Sequence, residues 1–325
     1  MIQLTHGLWV ITGMETTMLY DILLDIGGTG IKGGFFSVEQ NIVSDSYQFN
    51  ANSDLERDAV IRHLCSICNQ IWDTIEDDNK RIRNIRMAFP GPFDYQTGTS
   101  KMRGLAKYES LYNVSIPKEM ISLSIEKNYS FIPRQEDDFR FVNDVEAYAL
   151  GVLYKRKLFQ GYRVLYLCIG TGSGSAYSVD GEISQDNAQG IPEHGWVYPI
   201  PYKDSIIDEY ISARGIKNLA QKYCNEAHSP LELSEMVIRG NQDAGKAYKE
   251  FGEDLNSALL PLLIKFGANT FVIGGNISHS SEMFLSPIRE SCNELGIDIM
   301  IESDTSRLVM AGLIMLSGRT KGREE

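Results

Sequence analysis

A carboxylate and a glycine-rich turn stand together early in the chain, at Asp25-Ile26-Gly27-Gly28-Thr29-Gly30. The apolar run before the turn predicts a strand, so Asp25 would lie at its end, beside glycine amides that a phosphate can approach closely. Thr29 and Lys32 add a hydroxyl and a cation near the same turn. The group indicates a metal-phosphate site, although a plain hairpin with Asp25 as a turn residue would show the same pattern.

The residues after this turn disfavour a dinucleotide-binding fold. A dinucleotide fingerprint requires a helix directly after its glycines. Residues 31–37 instead form an apolar, aromatic run that predicts a returning strand.

Two further glycine runs follow predicted strands later in the chain. Gly170-Thr171-Gly172 lies between two such strands, so it offers a second phosphate-binding turn. Gly274-Gly275 ends an apolar run and precedes a helical stretch, where a flat ligand can lie against bare backbone. Each run, taken alone, is also compatible with an ordinary tight turn.

The pair Asn143-Asp144 stands where a predicted strand passes into a predicted helix. In one interpretation Asp144 is simply the N-cap of that helix. In the other, its carboxylate accepts the proton of a hydroxyl group that attacks a phosphoryl group.

The composition is that of an ordinary globular protein and favours a small-molecule partner. The chain has 325 residues, enough for about two domains, with 43% hydrophobic and 23% charged residues. Its net charge of -12 opposes binding to nucleic acid or to an anionic membrane surface. The most apolar stretch, residues 258–275, is interrupted by Pro261, Lys265 and Asn269, which excludes a span of about 20 apolar residues.

Cysteine usage and the first residues predict a cytoplasmic protein. Five cysteines are too few, and odd in number, for a disulfide framework. Cys65 and Cys68 lie in a stretch with helical apolar spacing, which predicts buried helical thiols. Residues 1–17 lack the features of a signal peptide, and we expect them to be dispensable for stability and activity. We expect the polar tail at residues 318–325 to be frayed.

The predicted elements repeat one arrangement. A strand, a glycine-threonine turn and a second strand occur near residue 25 and again near residue 170. The recurrence predicts an α/β fold of two related lobes that face each other across a cleft. Ile42 to Phe49 is predicted as a further strand, and Ser53 with Glu56 as a capping box that starts a helix of about six turns.

The order of these features resembles the sugar kinase, Hsp70 and actin superfamily and, within it, the ROK family of sugar kinases and repressors. The resemblance runs from residue 19 to residue 317. The motifs that carry it are L-D-I-G-G-T-G-I-K, F-P-G-P-F-D at Phe89 to Asp94, V-N-D-V-E-A, I-G-T-G-S-G and V-I-G-G-N. It implies two ribonuclease-H-like lobes of the actin-like ATPase type, with residues 18–140 and 304–321 in a small N-terminal lobe and residues 141–303 in a large C-terminal lobe.

The resemblance also implies an activity and a site. The protein would be an ATP-dependent kinase of the hexokinase or glucokinase type, which phosphorylates a hydroxyl of a hexose or N-acetylhexosamine, and it would form a homodimer. Asp144 would be the catalytic base, Asp25 would hold Mg²⁺ through water, and Asn143, Gly91 and Glu193 would contact the sugar. The residues implied to bind ATP are Asp25, Gly27, Gly28, Thr29, Lys32, Gly170, Thr171, Gly172, Gly274 and Gly275, with the last two facing the adenosine.

The sequence departs from the family pattern in the zinc region. Family members usually read G-E-x-G-H followed by the cluster C-x-C-G-x-x-G-C-x-E, whereas this chain reads Pro192-Glu193-His194-Gly195-Trp196 and has Pro201 and Lys203 in the cysteine segment. Trp196 stands where the zinc-ligand histidine is expected. His194 alone cannot make a four-ligand site, so we predict no structural zinc.

A second departure leaves the sugar open. Many family kinases carry an N-x-P-N-L segment that contacts the sugar, but residues 101–108 contain no asparagine here. The alternative function is a sugar-sensing regulator of the same family, which would carry a winged helix before the ligand domain. We expect too few residues before the first motif for such a domain, and the acidic chain has no basic patch to replace it.

Overall fold

The structure, a computed structural model, describes residues 17–104, 107–131 and 133–316, together with the backbone of residues 2–5 and 8–11. The chain divides into two compact units that adjoin in sequence at Asn143 and Asp144. In the N-terminal segment, β1 (Ile2–Thr5) pairs antiparallel with β2 (Leu8–Ile11). The other residues before 17, and the tail at 318–325 that we expect to be frayed, lie outside the described residues.

The first unit is built on a mixed sheet. Its elements are β3 (Met18–Ile26), β4 (Gly30–Ser37), β5 (Ile42–Val43), β6 (Tyr47–Asn50), α1 (Arg57–Asp73), β7 (Lys80–Phe89), β8 (Phe93–Asp94), β9 (Thr99–Ser100), α2 (Ile116–Glu126) and β10 (Phe139–Asn143). The sheet has the order β10-β7-β3-β4-β5, and β6 also pairs with β4. Because β3, β7 and β10 are parallel, their carboxyl ends lie at one edge of the sheet.

Helix α1 packs on this sheet through one apolar face. Val60, Leu64 and Ile67 recur at helical spacing and are fully buried in the core of the unit. Burial of each such side chain contributes roughly 1.5–3 kcal/mol relative to exposure. Cys65 and Cys68 are buried in the same core, which confirms the predicted buried thiols. Burial raises the pKa of the Cys65 thiol to about 12, so this thiol stays protonated.

Two local predictions for the first unit are wrong. The run from Ile42 to Phe49 forms the two short strands β5 and β6, which pair separately with β4. Glu56 is the N-cap residue of the 17-residue helix α1 and makes no side-chain capping bond. Ser53 instead donates its hydroxyl to the Gly28 carbonyl at 2.7 Å. The Ser53 hydroxyl is therefore bonded to a residue distant in the chain, and it does not cap the helix.

The second unit contains another mixed sheet. Its elements are α3 (Asp144–Arg156), β11 (Arg163–Ile169), β12 (Ser173–Val179), β13 (Glu182–Ile183), β14 (Pro201–Tyr202), β15 (Ser205–Ile206), α4 (Ile207–Tyr210), α5 (Ala213–Cys224), α6 (Pro230–Ile238), α7 (Gln242–Phe266), β16 (Thr270–Gly274), α8 (Ser286–Leu295), β17 (Asp298–Glu302) and α9 (Thr305–Met315). The sheet has the order β13-β12-β11-β16-β17, with β11, β16 and β17 parallel. Strand, glycine turn and antiparallel strand thus recur in both units, which confirms the α/β class.

Helix α7 packs its apolar face into the core of the second unit. It has 25 residues, with Pro261 in its interior. The Asn241 side chain caps its N-terminus by accepting hydrogen bonds from two backbone amides, and Gly267 ends it at a left-handed φ of 68°. None of the helices in the described ranges is long and apolar enough to cross a bilayer.

Helices α3 and α9 cross closely because each has a glycine at the crossing. A Cβ atom on Gly151 would lie 2.0 Å from the Leu308 carbonyl oxygen, and one on Gly312 would lie 1.8 Å from the Ala147 carbonyl oxygen. This packing groups α9 with α3 in the second unit. The division therefore differs from the expected one, which placed residues 304–321 in the first lobe. The difference arises because two distant glycines create the contact.

We expect Gly151→Ala to destabilise the protein by about 1–3 kcal/mol, because the added methyl group would overlap backbone atoms of α9. Gly245→Ala is the matched control: Gly245 lies in helix α7 and has no atom within 4 Å of its Cβ position. That change should stabilise the protein by about 0.5–1 kcal/mol. Urea unfolding measures both values, and equal shifts in the two variants would contradict the close crossing.

Candidate active site

The carboxyl ends of three parallel strands bring the predicted chemistry of the first unit to one sheet edge. Strand β3 ends beside Asp25, and β7 ends at Phe89, two residues before Gly91. Strand β10 ends at Asn143, directly before Asp144, and its parallel register pairs Asn143 with Phe89. Ligands of open α/β sheets bind at such carboxyl edges.

The first glycine turn, residues 27–30, has its carbonyl groups held by distant residues. The donors and their acceptors are Tyr108 Oη to the Gly27 carbonyl (2.9 Å), Ser53 Oγ to the Gly28 carbonyl (2.7 Å) and the Ala51 amide to the Thr29 carbonyl (3.1 Å). The turn is closed by the Gly27 amide, which donates to the Gly30 carbonyl at 2.9 Å. Its carbonyl oxygens are therefore occupied by the protein itself.

The backbone donors of this turn have a different environment. The amides of Gly28 and Thr29 have no acceptor within the described part of the chain. Both residues have φ outside the left-handed region, so the turn is not the usual two-residue hairpin type. A turn with engaged carbonyls and available amides suits an anion. This geometry favours the phosphate-binding interpretation over the plain hairpin.

Asp25 and Lys32 lie directly opposite each other in the antiparallel pair β3-β4. Directly opposed residues share a face of the sheet, so the carboxylate and the ammonium are neighbours beside the turn. Both residues are half-buried, and Thr29 at the tip of the turn is exposed. The structure thus brings together the predicted carboxylate, cation and hydroxyl of the first turn.

Asn143 is held by a short hydrogen-bond chain at the same edge. Its Nδ2 donates to Tyr95 Oη at 3.1 Å, and Tyr95 Oη donates to the Phe89 carbonyl at 3.1 Å. Asp144 is the first residue of α3, and its Oδ1 accepts from the Val145 amide at 3.0 Å. A carboxylate in the first turn of a helix is stabilised by the helix dipole, typically by about 0.3–1 kcal/mol.

The second glycine turn, residues 170–172, is organised by Asp208. The Ser173 amide and hydroxyl donate to Asp208 Oδ1 at 2.7 and 3.0 Å, and Asp208 also pairs with Arg214. The Gly170 amide donates to the Gly172 carbonyl at 2.8 Å. As in the first turn, the next two amides, at positions 171 and 172, have no acceptor among the residues the structure describes. Thr171 is exposed at the tip.

Gly274 and Gly275 are required by the packing of the protein itself. A Cβ atom on Gly274 would lie 2.3 Å from Tyr148 Oη, and one on Gly275 would lie 2.3 Å from the Ile169 carbonyl oxygen. Gly275 also has a left-handed φ of 84°, and its amide donates to Thr305 Oγ1 at 3.0 Å. These contacts account for both glycines, and their contact with adenosine stays a prediction.

Glu193 lies on an exposed loop of the second unit. Its side chain is 84% exposed, and its carboxylate lies 3.7 Å from the His194 ring nitrogen Nε2. Ser175 on β12 anchors the loop, because its hydroxyl donates to the Gly195 carbonyl at 2.7 Å and accepts from the Val197 amide at 2.9 Å. The carboxylate is therefore accessible on an anchored loop.

Four residues that hold the glycine turns or Asn143 were not found from the sequence: Ser53, Tyr95, Tyr108 and Asp208. The local pattern around Ser53 indicated a helix cap, and Asp208 contacts the second turn across 35 residues of the chain. Tyr95 and Tyr108 have no local signal, because their contacts with Asn143 and Gly27 span 48 and 81 residues of the chain.

The sequence model of the ROK family matches residues 22–313, a range that contains the three glycine runs and the Asn143-Asp144 pair. The chain belongs to the ROK family. Among curated relatives, the N-acetyl-D-glucosamine kinase of Haemophilus influenzae is 22% identical over 282 residues, which cover 80% of this chain and 85% of the relative. The N-acetyl-D-glucosamine kinase of Pectobacterium carotovorum is 24% identical, with 80% and 84% covered.

Solved ROK structures share the fold of this ROK protein. A ROK family glucokinase from Streptomyces griseus, in complex with glucose and AMPPNP, has a TM-score of 0.69 at 16% identity and covers 92% of this chain and 99% of its own. A ROK family transcriptional regulator, a homologue of the E. coli MLC protein, has a TM-score of 0.70 at 15% identity, with 91% and 77% covered. At these identities the likeness establishes the actin-like ATPase fold alone.

In the segment where family members usually bind zinc, Lys203 contacts Asp254, Tyr202 and Tyr210, a group that we call the lysine cluster. Lys203 Nζ lies 2.5 Å from Asp254 Oδ1, 4.9 Å from the centre of the Tyr210 ring and 5.5 Å from that of the Tyr202 ring. Tyr202 Oη also donates to Asp254 Oδ1 at 3.0 Å. Since Asp254 is buried in α7, the cluster fastens the hairpin β14-β15 to that helix by an ion pair and cation-π contacts.

We expect the purified protein to contain no structural zinc, because the histidine and cysteine ligands are replaced and the lysine cluster occupies the segment instead. Within the described ranges, no group of three His, Cys, Asp or Glu residues is arranged to hold a metal ion. Elemental analysis after dialysis is the measurement. Stoichiometric zinc that survives dialysis would contradict this prediction.

Proposed function

We propose that this protein is an ATP-dependent sugar kinase. The observation that carries the proposal is the first glycine turn, whose amides at Gly28 and Thr29 are available to a phosphate while its carbonyls are engaged. The turn lies at the same sheet edge as Asn143, the residue before Asp144. A phosphate donor and a hydroxyl acceptor can therefore meet at one edge.

In the proposed reaction, the chain contributes positioning and proton transfer. Asn143, oriented by Tyr95, hydrogen-bonds a sugar hydroxyl, with Gly91 and Glu193 as further sugar contacts. The Asp144 carboxylate accepts the proton of the attacking hydroxyl, and this general-base role typically contributes 10²–10⁴-fold. The amides of both glycine turns bind the phosphate oxygens, whose negative charge they stabilise without the cost of reorganisation.

Asp25 is the residue we propose to hold Mg²⁺, through water. Its carboxylate is an oxygen ligand of the kind Mg²⁺ prefers, and it stands beside the turn amides and Lys32. Bound Mg²⁺ would offset the negative charge of the donor phosphates. Few protein ligands are needed, since Mg²⁺ usually keeps several waters.

The acceptor we propose is a hexose or N-acetylhexosamine, as in a hexokinase or glucokinase. The two kinases above act, by their names, on N-acetyl-D-glucosamine, which makes this sugar the first to test. A coupled ADP-release screen with ATP, Mg²⁺ and about two dozen hexoses and N-acetylhexosamines tests the proposal. Turnover of one sugar well above the others supports it, and no turnover with any sugar contradicts it.

The second candidate is a sugar-sensing regulator without catalysis, which the fold of the ROK transcriptional regulator supports. Sugar binding without ADP release would favour this candidate.

We also propose that the protein is a cytoplasmic homodimer. Light scattering measures its mass and so tests the dimer.

A further inference from the structure

Lys107 lies across the first glycine turn. A Cβ atom on Gly28 would meet the Lys107 Cδ atom at 3.3 Å, so the lysine stem covers the turn at this residue. Lys107 is half-buried, and it makes no hydrogen bond or ion pair with any residue that the structure describes. A cation held beside available backbone amides, without a carboxylate partner in the described chain, suits an anionic ligand.

The neighbouring cations of the same segment have partners inside the protein. Lys101 Nζ donates to Asn113 Oδ1 at 2.9 Å, and the Arg103 guanidinium lies 5.7 Å from the centre of the Tyr112 ring. Lys107 differs from both in its place beside the turn. The segment is thus not uniformly basic surface, and one of its three cations is directed to the turn by the fold.

Tyr108 fixes this placement. It is fully buried, its amide donates to the Ser53 carbonyl at 2.7 Å, and its hydroxyl donates to the Gly27 carbonyl at 2.9 Å. Ser53 in turn donates to the Gly28 carbonyl. The residue after Lys107 is therefore bonded directly to Gly27 and also to Ser53, which itself bonds Gly28, and these contacts keep Lys107 beside the turn.

We propose that Lys107 binds the terminal phosphate of the nucleotide donor and so positions it for transfer. The inference rests on the proposed kinase function. The turn shares its sheet edge with Asn143, next to the proposed base, so a phosphate held there is the one nearest the acceptor hydroxyl. Lys107 belongs to residues 101–108, which contain no asparagine. Many ROK kinases have an N-x-P-N-L segment here, and they contact the sugar through it. In this chain Lys107 serves the phosphate instead.

The test compares Lys107→Met with Lys101→Met, a matched loss of one lysine from the same segment. Titration calorimetry with ATP, ADP and AMP, each with Mg²⁺, measures binding, and the ADP-release assay measures KM and kcat. We expect Lys107→Met to weaken ATP binding about 10- to 100-fold, the size of a hydrogen bond to a charged group, and to leave AMP binding unchanged. Lys107→Arg should retain most of the affinity, and Lys101→Met should match the wild type.

Several outcomes would overturn the inference. Equal weakening of ATP and AMP would mean that Lys107 only supports the turn, and an equal effect of Lys101→Met would indicate general electrostatics. A higher KM for the sugar with unchanged ATP binding would assign the lysine to the acceptor. A wild-type protein that binds ATP but phosphorylates no sugar would contradict the kinase proposal alone, because the ATP-to-AMP comparison still decides the role of Lys107. No binding of any nucleotide would overturn both.

Discussion

We expect Asp144→Asn to fold normally, to bind ATP and to lose at least about 100-fold in kcat. Asparagine keeps an oxygen that can accept from the Val145 amide, so the local contact of the helix start survives. It removes the negative charge and the proton acceptor. If Asp144 served only to cap the helix, the same change would be nearly silent, since asparagine caps as well as aspartate.

The control for this variant is Glu146→Gln, which removes a carboxylate from the first turn of the same helix. Glu146 Oε1 accepts from Gln185 Nε2 at 2.5 Å, and it has no proposed part in catalysis. Its replacement should leave kcat nearly unchanged. Calorimetry with ATP and circular dichroism verify binding and folding of both variants. If Asp144→Asn keeps more than about a tenth of wild-type kcat on the best sugar, Asp144 is not the base.

The largest stability effect is expected for Asp21→Asn, at about 3–5 kcal/mol. Asp21 is fully buried on β3, four residues before Asp25, and it binds two guanidinium groups. Its oxygens lie 2.8 and 2.5 Å from Arg83 and 2.7 Å from Arg86. The Arg86 side chain is only 6% exposed. Removal of the shared carboxylate would take the Asp21 charge away from this buried guanidinium.

The pKa values of these arginines agree with this arrangement. The hydrogen bond with Asp21 raises the pKa of Arg83, whereas burial lowers that of Arg86 despite the attraction of Asp21. Arg86 therefore depends more strongly on the carboxylate, since its cation has lost most of its hydration.

Urea unfolding of three variants separates the causes. Glu235→Gln breaks an exposed pair in which Glu235 and Arg239 lie 3.1 Å apart, and it should cost about 0–0.5 kcal/mol. The double change Asp21→Leu with Arg86→Met removes both buried charges and should recover most of the stability lost in Asp21→Asn. If Asp21→Asn costs no more than Glu235→Gln, the buried pair does not stabilise the first unit.

Patterns within a few residues were sufficient to predict the main strands and the chemistry at their ends. Runs of apolar residues predicted the strands that precede the three glycine runs and Asn143, and the structure has β3, β11, β16 and β10 at these places. Glycine and proline interrupt regular structure by their own backbone properties, so the turns at residues 27–30 and 170–172 were also predictable. No strand or helix was predicted between residues 90 and 138, where the structure has β8, β9 and α2, because the local signals for regular structure are weak there.

The contacts that complete the site were decided only by the tertiary structure. Local spacing around Ser53 indicated a helix cap, but packing brought its hydroxyl to Gly28, 25 residues away. Tyr108 reaches Gly27 across 81 residues and carries Lys107 to the same turn. The crossing of α3 and α9 likewise depends on glycines 161 positions apart, at 151 and 312. Such contacts satisfy buried polar groups and close packing across distant parts of the chain, so periodicity within one element carries no information about them.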